Sequence, residues 1–594
     1  VKKPTITQLS IMVLAGCLAV GFALRAWHFS DWLHFELDQA RDAMVVDLAL
    51  QEGPGELPLL GPKAAGTFLR LGPAFYYFQY LGALVFGGTP QSMAYATLIF
   101  GTLTIALSYL FMRRFFDRSI SLGVAAIVAC SHFLIMYSRF AWNPNAIPFF
   151  VLLALYGLLR AVDQHEAKRS RWLIVSFAAC AIATQMHFLV FLALPAAMVA
   201  FLVLKRPKLS WKAWAGAISV FLFLYVPLIV NDIKTQGANT KEFFKAITEK
   251  SEKASDSDNN LADKVARSYI EVTNGTMLLA SGREKTEMPK IKLLHEGDIA
   301  SIGVGGGDRN NTLVGIAGMV LVFALAIVVG VRFASERERI KKDFLLLVGL
   351  WFGVVSVLFI PLAFKLAPRF YLLLVPSTLL FLGISMEMAG KILRKKYLAV
   401  IAISAFFVCA NLIFLGERFS QLAKAQEQTI PDFADRILKE RTRVTLAQQQ
   451  EIADYVEKIH KTNNDPVYFN SEPQYRRAIL YHVAKKGIPY EDLRVTKVYR
   501  KGNYILVFVS NDSVDSKVSK YTDKYGIIEK KQFGTLTMVR LAPKEEAISA
   551  ESQIVEAKKV ERKTSAPGVP VRYTWNEIFE GMGAVEEDEP EDEL

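Results

Sequence analysis

Residues 71–88 read LGPAFYYFQYLGALVFGG, and whether this segment crosses a membrane or lies along it fixes the sidedness of everything that follows. It is apolar enough to cross, but it is short and rich in Tyr and Gly, which suits a boundary segment. A helix needs about 20 apolar residues to cross a hydrocarbon core. Eleven other stretches are candidates: about 9–29, 91–112, 119–137, 146–161, 172–186, 188–204, 213–230, 313–331, 344–364, 371–388 and 397–415. With eleven crossings, loops 113–118, 168–171, 205–212, 332–342 and 391–396 share one side and carry nineteen Lys and Arg, while the short loops opposite hold Arg139, Lys365 and Arg369. Basic residues of short loops collect on the cytoplasmic side. A twelfth crossing at 71–88 would invert that bias, so the segment is expected to lie as a helix in the outer interface.

Composition agrees with this reading. The chain has 594 residues, 52% hydrophobic and 21% charged, with a mean hydropathy of +0.26. A single soluble domain is excluded. The net charge of +12 lies mostly between apolar segments rather than on a folded basic face, so nucleic acid is not an expected partner. Cys17, Cys130, Cys180 and Cys409 all sit within apolar segments and read as packing residues. The first apolar run follows Lys2 and Lys3 with no small-residue cleavage site after it, and is expected to be a retained signal anchor with a cytoplasmic N-terminus.

The expected fold is thus a polytopic α-helical membrane protein of about eleven transmembrane helices with a C-terminal extracytoplasmic α/β domain. Residues 1–415 form the membrane domain, with outside loops at 30–90 and 231–312; residues 416–543 form the α/β domain; residues 544–594 form a charged, partly disordered tail. Helices are expected at 445–459 and 474–486, and strands at 467–469, 504–510 and 536–541. Tyr573, Trp575, Ile578 and Phe579 interrupt the charged tail and read as a docking segment, ahead of the acidic run EEDEPEDEL. No internal repeat is evident, which weakens a two-halves transporter.

The densest carboxylate cluster beside the membrane lies just past the first span, in DWLHFELDQARDAMVVDLAL, where Glu36, Asp38, Arg41 and Asp42 crowd together. On a helix Asp38 and Asp42 share a face, and Arg41 reaches Asp38. A solvated interfacial helix is the plainer alternative. Arg139 stands in YSRFAWNPN and Arg369 in KLAPRFYLLLVP, both on the side that basic residues avoid, so a negative partner near the outer headgroups is the natural explanation. Snorkelling to lipid phosphates is the competing one, and the preferred one for Lys365. Gln185 and His187 join two closely spaced spans on the same side, where a polar cap is the plainer role. Asp256-Ser257-Asp258 reads as a solvated loop and GVGGGD at 303–308 as a linker, since it lacks the Lys-Ser/Thr of a phosphate loop. Asn274-Gly275-Thr276 and Asn310-Asn311-Thr312 match glycosylation triplets that recur by chance.

A carboxylate in the first outside loop, an interfacial Gly-Pro-Tyr segment, Arg139 in the second outside loop and Arg369-Phe370-Tyr371 opening a late span together resemble the GT-C membrane glycosyltransferases. The nearest group is the protein O-mannosyltransferases and aminoarabinose transferases, the dolichyl-phosphate-mannose-protein mannosyltransferase family. The resemblance covers about residues 1–415. That family commonly carries Asp-Glu after its first span, where this chain has Asp38-Gln39, so Glu36 or Asp42 is left to compensate.

The resemblance implies Asp38 as catalytic carboxylate and Arg139 and Arg369, supplemented by Lys365, as donor-phosphate residues. Arg41, Gln185, His187, Tyr76 and Tyr77 are the candidates for substrate contact, with membrane anchoring the simpler role for the tyrosines. The implied reaction moves a sugar from a polyprenyl phosphate to an acceptor hydroxyl of a glycan, lipid or protein, with inversion, on the outer face of the cell membrane. Phosphate is already a good leaving group, so no cofactor is required and a divalent metal is optional. Rival readings are a lipid-linked oligosaccharide ligase or polymerase, told apart by its donor, and a non-enzymatic transporter or membrane anchor.

Overall fold

The computed structural model describes residues 5–64, 67–248, 261–283, 290–291, 302–303, 309–425, 444–493, 497–510, 513–555 and 571–581. Asp256 to Asp258, residues 304–308, the side chains of Asn310 to Thr312 and the acidic run 586–594 lie outside what is described.

Helix α1 (Ile6–Ala26) starts at Thr5, whose hydroxyl accepts from the Gln8 amide while the Gln8 side chain accepts from the Thr5 N–H. The first loop holds α2 (Leu37–Glu52) and α3 (Ala74–Phe86). Then follow α4 (Pro90–Met112), α5 (Arg118–Cys130), α6 (His132–Met136), α7 (Ile147–Val162), α8 (Arg169–Met186), α9 (Phe188–Lys205) and α10 (Trp211–Lys234). The long loop after α10 is largely helical where described, with α11 (Ala238–Thr248), α12 (Leu261–Ser281) and the two-residue strands β1 (Lys290–Ile291) and β2 (Ile302–Gly303). The bundle closes with α13 (Arg309–Ser335), α14 (Arg339–Phe359), α15 (Val375–Ile392) and α16 (Lys396–Ala425).

Among the described residues nine helices are long and apolar enough to cross a membrane, and each coincides with an expected span. The other two expected spans hold helices too. Span 119–137 is split at Ser131 into α5 and α6, and the span at 172–186 is α8, which opens on Arg169 and Arg171. The basic loops meet at one end of the bundle. There Arg118 reaches Thr7 (3.0 Å), Arg114 pairs with Asp163 (2.6 Å), Lys205 with Asp343, Lys396 with Asp117 and Arg332 with Glu387.

The segment that decides sidedness forms α3, thirteen residues long, about 20 Å at 1.5 Å per residue and well short of a bilayer core. Gly87 ends it in the left-handed region (φ +92°), and Thr89 caps α4 directly after. Its start is pinned by Gln185, whose amide oxygen accepts from Ala74 N–H (3.3 Å) while its nitrogen donates to the Ala181 and Leu224 carbonyls. A Cβ on Gly72 would fall 2.3 Å from the Gln185 side chain, so any other residue there would displace the glutamine that pins α3.

Helix α16 continues past the expected end of its span, and the α/β domain follows. A mixed five-stranded sheet has the order β4-β3-β5-β7-β6, made of β3 (Val467–Ser471), β4 (Tyr490–Asp492), β5 (Asn503–Val509), β6 (Tyr525–Phe533) and β7 (Leu536–Pro543). Strands β3, β4 and β5 run parallel, and the β5-β7-β6 part is antiparallel. The helices are α17 (Leu446–Asn463), α18 (Pro473–Lys485) and the short α19 (Val514–Ser519). Two hydrophobic clusters, one around Phe469 and Ile505 and one around Tyr468 and Leu506, cover opposite faces of β3 and β5. The domain runs beyond Pro543, since Tyr499 bridges to Ala550.

This domain sits directly on α2. Phe35 packs against Tyr481 and His482 (ring centroids 5.2 and 5.5 Å apart), Gln449 donates to the Phe35 carbonyl (2.7 Å) and Lys485 pairs with Asp47 (2.8 Å). Residues 571–581 dock where the aromatic island predicted a docking segment. Leu59 N–H donates to the Tyr573 carbonyl (2.8 Å), Asn231 bonds both Val571 and Tyr573, Trp575 donates to the Tyr77 hydroxyl (3.1 Å), and α20 (Trp575–Glu580) follows.

Burial holds the His482 imidazole down at about 4, with Asp454 pulling it up and Lys486 pushing it down. A His depressed in the folded state favours folding fully above its unfolded value of about 6.5 and loses that contribution as pH falls towards 4. The unfolding free energy of the wild type is therefore expected to drop more between pH 7 and pH 4.5 than that of His482→Leu, by on the order of 2–3 kcal/mol. Equal slopes for the two proteins would contradict this.

Candidate active site

The site grows from the start of α2, where Gln39 accepts from the Glu36 N–H and the helix turns Asp38 outward. The Asp38 side chain is 38% exposed, whereas that of Asp42, one turn on, is 1% exposed. Arg41 lies between them, donating from one terminal nitrogen to Asp38 (3.0 Å) and from the other, together with Nε, to Asp42 (2.8 and 3.0 Å). The second oxygen of Asp38 accepts from the Trp142 indole N–H (3.0 Å). Trp142 is itself held by its loop: Asn143 donates to the Met186 carbonyl (2.6 Å), and Asn145 and Thr97 both donate to the Phe140 carbonyl.

Arg369 completes the group. Its guanidinium lies 5.5 Å from the centre of the Trp142 ring and 5.1 Å from that of Phe370, and Asp38 acts on it electrostatically. Among the described residues no hydrogen bond or ion pair is recorded for it. The turn Pro368–Leu374 that carries it is anchored from α12, where Tyr371 donates to Glu271 and Arg267 pairs with the same carboxylate. His187 stacks edge-on against Phe370 (5.1 Å) and accepts from Leu189 N–H, capping α9. Burial and the neighbouring Arg369 push its imidazole down to about 3, so it stays neutral.

Asp38, Arg41, Arg369 and His187 are thus brought together at the end of the bundle opposite the basic loops. Other expected site residues have different work. Arg139, 2% exposed, donates to the carbonyls of Leu24, Arg25 and His28 (3.4, 2.8 and 3.3 Å) and lies between Phe29 and Phe419. It neutralises the C-terminal end of α1 rather than facing a phosphate. Asp42 is sealed under Arg41 and Gln79, and burial pushes its carboxyl up, with Arg41 pulling it back. Glu36 is buried and accepts from Gln474 (2.7 Å), tying α2 to the α/β domain. Gln185 pins α3. Tyr76 and Tyr77 hold the docked tail through Arg572 and Trp575 instead of lining a groove. Lys365 is exposed on the turn after α14.

Two residues here escaped the sequence reading. Trp142 was visible only as an aromatic flank of Arg139, and Glu271 lies in what read as loop. Among the described residues no group of three or more His, Cys, Asp or Glu is placed to hold a metal.

No curated protein sequence matches this chain significantly. Among solved structures it is similar to ArnT from Cupriavidus metallidurans in two states. The apo form superposes with a TM-score of 0.52 at 11% identity, and the form bound to undecaprenyl phosphate with 0.54 at 11%; each comparison covers 90% of this chain and 98% of the other. The fold is that of the GT-C membrane glycosyltransferases. More narrowly, residues 71–230, from α3 to the outer part of α10, match the family described as dolichyl-phosphate-mannose-protein mannosyltransferase.

Proposed function

We propose that this protein is an inverting glycosyltransferase that moves a sugar from a polyprenyl-phosphate donor to an acceptor hydroxyl on the extracytoplasmic side of the cell membrane. The observation that carries the reading is the half-exposed Asp38 carboxylate, oriented by two donors, beside an Arg369 guanidinium that, among the described residues, rests on aromatic faces. In this account Asp38 takes the proton of the acceptor hydroxyl as its oxygen bonds to the anomeric carbon. The bond from that carbon to the phosphate oxygen breaks on the opposite face, and polyprenyl phosphate leaves with the electron pair. Arg369 faces the charge that builds on the phosphate.

The excess of Lys and Arg in the loops at the opposite end of the bundle supports a cytoplasmic side there and a site at the outer headgroups. The two ArnT structures support a lipid-linked donor, one of them being bound to undecaprenyl phosphate. The acceptor hydroxyl belongs to a glycan, lipid or protein. Mass spectrometry of lipid that copurifies with the protein tests the donor: a polyprenyl-phosphate monosaccharide is expected. A lipid-linked oligosaccharide would assign the ligase reading instead.

A further inference from the structure

An ionised carboxylate and a guanidinium in the same recess ordinarily close into a two-pronged ion pair, which occupies the acceptor and the donors that each would need for a substrate. Here they do not. The Trp142 indole stands between them, giving its N–H to Asp38 Oδ2 (3.0 Å) and its face to Arg369 (5.5 Å). An indole has one donor and no acceptor, so it fixes the carboxylate at one oxygen without taking a hydrogen bond from the guanidinium. Its ring is braced by Tyr137 (6.4 Å) and Phe140 (5.9 Å), stacked at 29° to each, and its backbone by the Asn143 and Asn145 bonds.

We propose that Trp142 is a positioning residue that keeps Asp38 and Arg369 apart, so that the carboxylate stays aimed at the acceptor hydroxyl and the guanidinium stays open to the donor phosphate. This rests on the functional reading above. The two roles belong to different parts of one side chain and separate in kinetics. The N–H acts on the chemical step through Asp38, and the ring face acts on donor binding through Arg369.

The test replaces Trp142 by 3-benzothienylalanine, which keeps the shape and loses the N–H, alongside Trp142→Phe and Trp142→Ala. Both aromatic replacements are expected to lower kcat by roughly 10- to 100-fold, the worth of one hydrogen bond to a carboxylate, with donor KM unchanged. Trp142→Ala is expected to lower kcat further than either aromatic replacement and also to raise donor KM, as Arg369 collapses onto Asp38. Wild-type kcat in the benzothienyl enzyme, or a KM that moves equally in all three, overturns the proposal. If Asp38→Asn is inactive in the same assay, only the role of Trp142 has failed; if Asp38→Asn is active, the functional reading itself has failed.

Discussion

Asp38→Asn is expected to lower kcat for sugar transfer by about 10²- to 10⁴-fold, the range over which a positioned general base acts. The amide has nearly the shape of the carboxylate, and its oxygen still accepts from the Trp142 indole. It cannot accept the hydroxyl proton. Insertion, folding and donor binding are therefore expected to survive, which separates this variant from damage to α2. The check is a transfer assay on purified protein in lipid discs, with kcat and donor KM resolved. Full activity would remove Asp38 from the chemistry. Asp42 and Glu36 are poor substitutes, because one is sealed beneath Arg41 and Gln79 and the other is bound to Gln474.

Arg369→Ala carries the second large effect. A guanidinium facing a leaving phosphate stabilises charge that grows in the transition state, and removal of one such donor costs about 10²- to 10³-fold. Part of the loss is expected in donor KM, because the ground-state phosphate is already anionic. Kinetics are the readout, with the melting temperature as a control: the cation touches aromatic faces rather than buried carboxylates, so little stability is expected to go with it. Unchanged donor kinetics would return Arg369 to lipid snorkelling.

Arg139 and Arg369 carried the same signal in the sequence, since each is an arginine on the side that cations avoid, set among aromatics. Their fates differ because α1 stops at Ala26 within reach of Arg139, and those end carbonyls need donors. Nothing local in YSRFAWNPN reports where another helix ends. The spans were legible because about 20 residues of apolar sequence have few alternatives, and Asp38 was legible as a carboxylate at a membrane boundary.

Strands β3, β5 and β7 showed through their β-branched and aromatic content. β4 has only three residues, and β6, YGIIEKKQF, puts exposed Ile527 and Ile528 together and so breaks the period-2 pattern of a half-buried strand. Helix α12 was hidden for the opposite reason. Its polar first half reads as loop, yet Glu271 is buried against Tyr371 and supports the turn that bears Arg369.

The central claim is a division of labour, with Asp38 for the acceptor proton and Arg369 for the donor phosphate. Titration of polyprenyl phosphate into the wild type, Asp38→Asn and Arg369→Ala under one set of conditions tests it most directly. Wild-type affinity in Asp38→Asn with strongly weakened binding in Arg369→Ala is the predicted result. Equal affinity in all three, or a loss confined to Asp38→Asn, would contradict it.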